Sequence, residues 1–286
     1  MVKSNIARLL KWLKPWNANL VALENLELSG LDMDSIVEER RFEEEARSYL
    51  LSCRRRENAY KDVYNKLYLE YLKPAPCSIF SLSDFVDNPV CNLIGTGKKV
   101  LDIGCGQGIL SLALALRGNY VHGVDISDVN ISVAQYLKKL LKVDNVDFSI
   151  MNATKLNFPA DSFDYLISID LVEHLCLEDV IAHLKEALRV LKKNGAYIII
   201  TPNRLAGFKI PLHLHEFTIE ELTRLLLSIG FSSIKAFLFR NWKWLPVFLC
   251  SPTFKICLER MHKLFKLTRI SYQLLWLDYC SLMAIK

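Results

Sequence analysis

The sequence has no run of about 18 uncharged apolar residues, the length a membrane-spanning helix needs, so no segment reads as a transbilayer helix. None of its eight cysteines stands in C-x-x-C spacing, which removes the common zinc and dithiol motifs. The basic start is interrupted by Lys11 and Lys14 and is followed by no small-residue cleavage site, unlike a secretory leader. Reduced thiols in a cytoplasmic protein are therefore expected. There is no internal repeat and no Gly-Lys-Ser/Thr phosphate loop. What is present is globular in kind: 286 residues, 51% hydrophobic and 23% charged, enough for one large α/β domain with extensions or for two small domains. The net charge of +5 permits an anionic partner without requiring one.

From about residue 98 apolar strand-like runs alternate with helix-period runs, the pattern of a mainly parallel sheet. Strands are expected at 99–103, 120–124, 146–151, 163–169, 196–201, 231–239 and 279–285. Helices are expected at 107–117, 129–142, 177–191 and 218–230, the last opened by Thr218 with Glu221 three residues on and closed by Gly230. Strand 196–201 is expected to follow a turn through Lys192-Lys193-Asn194-Gly195. Residues 1–57 read as a charged helical extension ahead of a catalytic domain over 58–286. Within that domain the tyrosine-rich stretch 58–72 has helical spacing and could cover the mouth of a site.

The first strand runs into Asp102-Ile103-Gly104-Cys105-Gly106-Gln107-Gly108. A strand that turns through glycines into a helix presents backbone N–H groups and a helix N-terminus to a ligand. The dinucleotide fingerprint G-x-G-x-x-G would need a glycine where Ile109 stands, which argues against NAD or FAD. Asp125 ends the second strand, where a carboxylate can accept from both hydroxyls of a ribose. Its alternative, capping the next helix, is weakened because Ser127 and Asp128 are better placed as caps. After the third strand, Asn152-Ala153 can meet an adenine edge.

VLDIGCGQG (100–108), GVDIS (123–127), FPADSFDYLIS (158–168) and VLKKNGAYIIITPN (190–203) together resemble the successive motifs of class I methyltransferases. The resemblance covers about 95–240. It implies a Rossmann-like, doubly wound, seven-stranded, mainly parallel sheet of order 3-2-1-4-5-7-6, with the last two strands forming an antiparallel hairpin. It also implies S-adenosylmethionine as methyl donor, held by Asp102, Gly104, Cys105, Gly106, Gly108, Asp125, Ile126, Asn152, Ala153 and Ile169. The family commonly has an acid where Asn152 stands. Intact Asp102, three glycines and Asp125 disfavour a nonenzymatic nucleoside-binding module.

The fourth strand ends in Asp170-Leu171-Val172-Glu173-His174, and a helical turn there would bring Asp170, Glu173 and His174 to one face. Two acids and an imidazole suit a divalent metal ion. The arrangement is similar to that of the polyprenyl-phenol O-methyltransferases of ubiquinone synthesis. It is similar also to small-RNA 2′-O-methyltransferases, whose further histidine best matches His213. In both groups the acids and histidine are linked to a metal, with glutamate where Asp170 stands here. The preferred reading at this point is a metal-free wall in which His174 and His213 are the candidate bases for a hydroxyl acceptor.

The acceptor is expected to be a small or lipid-linked molecule. Residues 1–16 form a basic amphipathic pattern with Trp12 and Trp16, and about 242–272 an apolar insert rich in Lys and Arg before the last strand. Both suit contact with the inner membrane surface, although packing on the chain's own domain is the commoner use of such segments. Accepting nitrogen or carbon stays open. RNA is disfavoured, since the abundant apolar residues of the insert fit lipid better than a basic track.

Overall fold

Seven runs rich in Val, Ile, Leu and aromatic residues pair into one sheet. The structure, a computed structural model, describes residues 33–53, 56–71, 89–206, 210–236 and 279–286. The segments 1–16 and 242–272 lie outside the described residues. Two helices come first, α1 (Met33–Ser52) and α2 (Arg56–Lys66), the second continued by a π-turn at Leu67–Tyr71. There follow α3 (Pro89–Ile94), β1 (Lys99–Ile103), α4 (Ile109–Leu116), β2 (Tyr120–Asp125), α5 (Asp128–Leu141), β3 (Val146–Ile150) and β4 (Phe163–Ile169). The chain then forms α6 (Leu177–Val190), β5 (Leu191–Pro202), α7 (Ile219–Ile229), β6 (Ser233–Ala236) and β7 (Tyr279–Ile285).

The sheet order is β3-β2-β1-β4-β5-β7-β6, as the motif resemblance implies. β1 to β5 are parallel, and β7 runs antiparallel between β5 and β6. The inner strands are apolar on both faces because helices cover both. Leu101, Ile103, Leu166, Tyr197 and Ile199 enter one core with α6 and α7, while Val100, Ile167, Ile198 and Ile200 enter the other with α3, α4 and α5. Phe42, Ala46 and Leu50, spaced four apart along α1, belong to the first core, so the charged extension buries one stripe against the sheet's helices.

Three boundaries differ from expectation for local reasons. The helix after β1 starts at Ile109, not at 107, because Gly104, Gly106 and Gly108 all hold positive φ (74, 52 and 77°). β5 starts at Leu191 and absorbs the expected turn as an irregularity: pairing passes from Phe163↔Leu191 to Tyr165↔Ala196, with Asn194 at φ 62°. β6 is described only over Ser233–Ala236 of the expected 231–239. The Thr218–Glu221 capping box and the left-handed Gly230 C-cap stand as read from sequence. Among the described residues no helix is long and apolar enough to cross a membrane.

Candidate active site

The residues read as chemical in the sequence lie toward the carboxyl ends of β1 to β4 and in the segment between β5 and α7, along the edge where open α/β sheets bind ligands. The glycine loop crosses that edge first. Gly104 and Cys105 donate backbone bonds to the Val124 carbonyl at 2.8 and 3.0 Å, which fixes the loop against β2. The glycines do different work. A Cβ at Gly108 would lie 2.6 Å from the Phe148 ring, and one at Gly104 would lie 3.1 Å from Leu171 Cδ1, so these two permit close internal packing. A Cβ at Gly106 would meet nothing within 4 Å, so this glycine faces open space.

Asp125 receives the Gly106 and Ser127 amides, one on each carboxylate oxygen, both at 2.9 Å. The Asn130 side chain and the Ile126 amide also act on this carboxylate. Ser127, not Asp125, caps α5, accepting from the Asn130 amide. Burial raises the Asp125 carboxyl above its usual range, and these backbone donors oppose the rise. Asp102 is only 3% exposed and accepts from Ser111 at 2.6 Å, so it ties β1 to α4 behind the loop. Burial lifts it to about 6. The Cys105 thiol is likewise pushed well up by burial and by Asp102.

Asn152 turns its Oδ1 back to the Thr154 amide and hydroxyl at 2.9 and 3.0 Å, leaving its NH2 as the free half of the amide. Ala153 gives its carbonyl to His183 at 3.1 Å, and His183 joins the Tyr197 hydroxyl at 2.6 Å and, through it, Ser168. Ile126 packs against the first core and Ile169 against the second.

The second constellation stands just beyond β4. Asp170 holds a left-handed conformation, φ 51°, unusual for a residue with a Cβ. A 3-10 turn over Val172–His174 then brings Glu173 to full burial. Thr201 at the end of β5 donates to Glu173 Oε2 at 2.8 Å, and the Leu214 and His215 amides donate to the Glu173 carbonyl. His213 is thereby drawn over His174, their rings edge to face at 4.9 Å. One ligand atom from each of Glu173, His174 and His213 lies within 4.8 Å of the others.

Among the described residues four buried atoms in this cluster lack a hydrogen-bond partner, Asp170 Oδ1, Glu173 Oε1, His174 Nδ1 and His213 Nε2, the first two on carboxyl groups that act on each other. Buried polar atoms are otherwise nearly always satisfied, so such a concentration marks a place built for something else. His213 Nδ1 pairs with Glu216 Oε1 at 2.6 Å, which leaves the Nε2 lone pair to face the cluster. Burial and the neighbouring His213 push His174 down to about 3, so it is neutral. Burial first, then the Glu173 charge and hydrogen bond, holds Asp170 well above the carboxylate range.

Residues 94–228 match a family model described as a methyltransferase domain. This segment is similar to methyltransferase domains. The ubiquinone biosynthesis O-methyltransferase of Pelagibacter ubique is 33% identical over 141 residues, which is 49% of this chain and 55% of that protein. The enzyme of the same name from Bradyrhizobium diazoefficiens is 34% identical over 144 residues, 49% of this chain and 52% of that one. The chain thus spans about half the length of the curated relatives it matches. Among solved structures, the [4+2]-cyclase SpnF superposes with a TM-score of 0.57 at 19% identity, covering 80% of this chain and 96% of its own. The Haemonchus contortus phosphoethanolamine N-methyltransferase 2 bound to S-adenosyl-L-methionine gives 0.51 at 20%, covering 78% and 60%. At these identities the two structures share the fold alone.

Within the matched segment the sequence reading named Asp170, Glu173 and His174 as one metal set. In the structure one ligand atom each of Glu173, His174 and His213, the further histidine of that reading, lie within 4.8 Å of one another, and Asp170 acts on Glu173. Two supporting residues escaped the sequence reading. Glu216 was signalled by its three-residue offset from His213, whereas Thr201 carried no signal beyond its place at a strand end. A third came from outside that segment: Arg47 on α1 donates to the His213 carbonyl, and to that of Pro211 at 3.3 Å.

Proposed function

We propose that the chain transfers a methyl group from S-adenosylmethionine to a hydroxyl oxygen of a small molecule, beside a divalent cation held by Glu173, His174 and His213. The cluster of unpartnered buried atoms supports this reading most directly. Its donor set, one carboxylate and two imidazoles, suits a borderline divalent ion. Thr201 and Glu216 orient the would-be ligands Glu173 and His213, as supporting hydrogen bonds do around metal ligands. The names of the relatives, O-methyltransferases, point the same way.

The chemistry is an in-line displacement: the acceptor oxygen bonds the methyl carbon as the carbon–sulfur bond breaks, and the hydroxyl proton leaves. Because the sulfonium is already a good leaving group, the protein's main contribution is orientation. Gly106 and Asp125 would hold the donor's ribose end, and the acceptor oxygen would lie beside His174 and His213. A divalent cation at this site would lower the hydroxyl's pKa.

The finer reading, a lipid-linked acceptor met at a membrane surface, rests on the basic amphipathic segments 1–16 and 242–272. One experiment addresses both levels. The full chain is incubated with methyl-labelled S-adenosylmethionine and a lipid and metabolite extract, with and without EDTA. Labelled product that disappears with EDTA and returns with added Mg2+, Mn2+ or Zn2+ is expected. Product unaffected by EDTA but abolished in His213→Ala would make His213 the base instead, and product unaffected by either would overturn the site. Label in the organic phase is expected for a lipid-linked acceptor, whereas label confined to the aqueous phase removes that reading.

A further inference from the structure

The tyrosine-rich helix α2 precedes the matched methyltransferase segment, yet it reaches into the reaction edge. It is fastened there without help from Tyr64. Asn65 donates to Asp128 at 2.6 Å and accepts from Ser127 at 2.7 Å, and Lys61 pairs with Asp128 at 2.9 Å. One turn earlier, Tyr60 donates to Asp179 at 3.0 Å and accepts from the Cys176 amide at 3.1 Å. These bonds set the helix in place and aim Tyr64 at the cluster, where its ring meets His174 edge to face at 5.7 Å.

The Tyr64 hydroxyl is buried and has no hydrogen-bond partner among the described residues. A phenolic O–H in that condition is unfavourable in the empty protein, because it has given up water and received nothing. A phenol carries its proton at neutral pH, so the hydroxyl is a donor. α2 then passes directly into the π-turn Leu67–Tyr71, an irregularity that recurs at functional sites.

We propose that Tyr64 belongs to the acceptor site, its hydroxyl donating a hydrogen bond to an oxygen of the bound acceptor beside Glu173, His174 and His213. This rests on reading that cluster as the acceptor side. It assigns the N-terminal helix a part in acceptor selection: an acceptor with an oxygen in reach satisfies the stranded donor, and an acceptor without one leaves it buried and unpaired.

The test is Tyr64→Phe in the full chain, which removes one oxygen and keeps the ring on His174. If the hydroxyl is stranded in the free protein, the variant melts higher, by about 2–4 °C. Binding of 4-nitrophenol, followed by its visible absorbance in the presence of S-adenosylhomocysteine, should weaken about tenfold, while the Kd for S-adenosylhomocysteine stays unchanged. A lowered Tm would show that the hydroxyl is bonded in the free protein and would overturn the proposal, as would equal nitrophenol binding by both proteins. A wild type that takes no nitrophenol would overturn the acceptor site itself, and the role of Tyr64 with it.

Discussion

Asp125 and Asp102 look alike in the sequence, each an acid at the end of an early strand, but their partners separate them. Asp102 spends its hydrogen bonding on Ser111 inside the domain. Asp125 instead holds the Gly106 and Ser127 amides where the glycine loop meets the end of β2. On the proposed reading Asp125→Ala loses the ribose acceptors, and it also frees the Gly106 and Ser127 amides. Calorimetry with S-adenosylhomocysteine should show affinity falling by about 1–3 kcal/mol, and unchanged affinity would refute the assignment. Asp125→Asn should recover only part of the loss, because its NH2 cannot accept from a backbone N–H. Asp125 was legible because a carboxylate at that strand end has few other uses. Glu216, Thr201 and Tyr64 were not, since their importance comes from which atom they face or leave unpaired.

At the level of elements, the glycine loop separates folding from binding within five residues. Gly108 and Gly106 both have positive φ, 77 and 52°. At Gly108 an added methyl would also strike Phe148 at 2.6 Å and the Ala134 Cβ at 2.9 Å, in the wall between β3 and α5. Gly108→Ala should cost about 2–4 kcal/mol, overpacking added to left-handed strain. Gly106→Ala meets open space and should cost only about 1–2 kcal/mol of stability, but its methyl would occupy the face offered to the cofactor. Urea melts and S-adenosylhomocysteine titrations should therefore rank the two variants in opposite orders; the same order in both assays would show that the loop does not divide its work this way. The sequence marked this loop as one glycine-rich unit and placed the helix start two residues early. Motif spacing records which positions require glycine, but not whether the reason is a neighbour inside the protein or a ligand outside it. The capping box at Thr218 and Glu221 was legible because its whole cause lies within four consecutive residues.

At the level of the whole molecule, strand order was readable because each motif sits at a fixed place on one sheet, whereas contacts such as that of Arg47 with His213, 166 residues apart, leave no local pattern. The fold alone does not name the reaction either, since a cyclase shares it at a TM-score of 0.57. What the whole fold does determine is how buried titrating groups trade against one another. His183 is buried and pushed down to about 4, below an ordinary histidine value near 6.5. Between those values the unfolded chain binds the proton and the folded one does not, so the contribution of His183 is present above about pH 6.5 and is lost as pH falls through 4. Asp102, lifted to about 6 from 3.8, works in the opposite sense. The folded state binds its proton first, so its contribution is fully present below about 3.8 and is lost as pH rises through 6. The two slopes oppose each other between about pH 4 and 6, and wild-type stability should vary little there on their account. Asp102→Asn removes one side of that balance. Measured by urea unfolding, the variant should lose more stability than wild type on going from pH 6.5 to 4, the difference amounting to on the order of 2–3 kcal/mol. Parallel curves would mean that Asp102 stays ionised throughout and that Ser111 solvates it better than its burial implies.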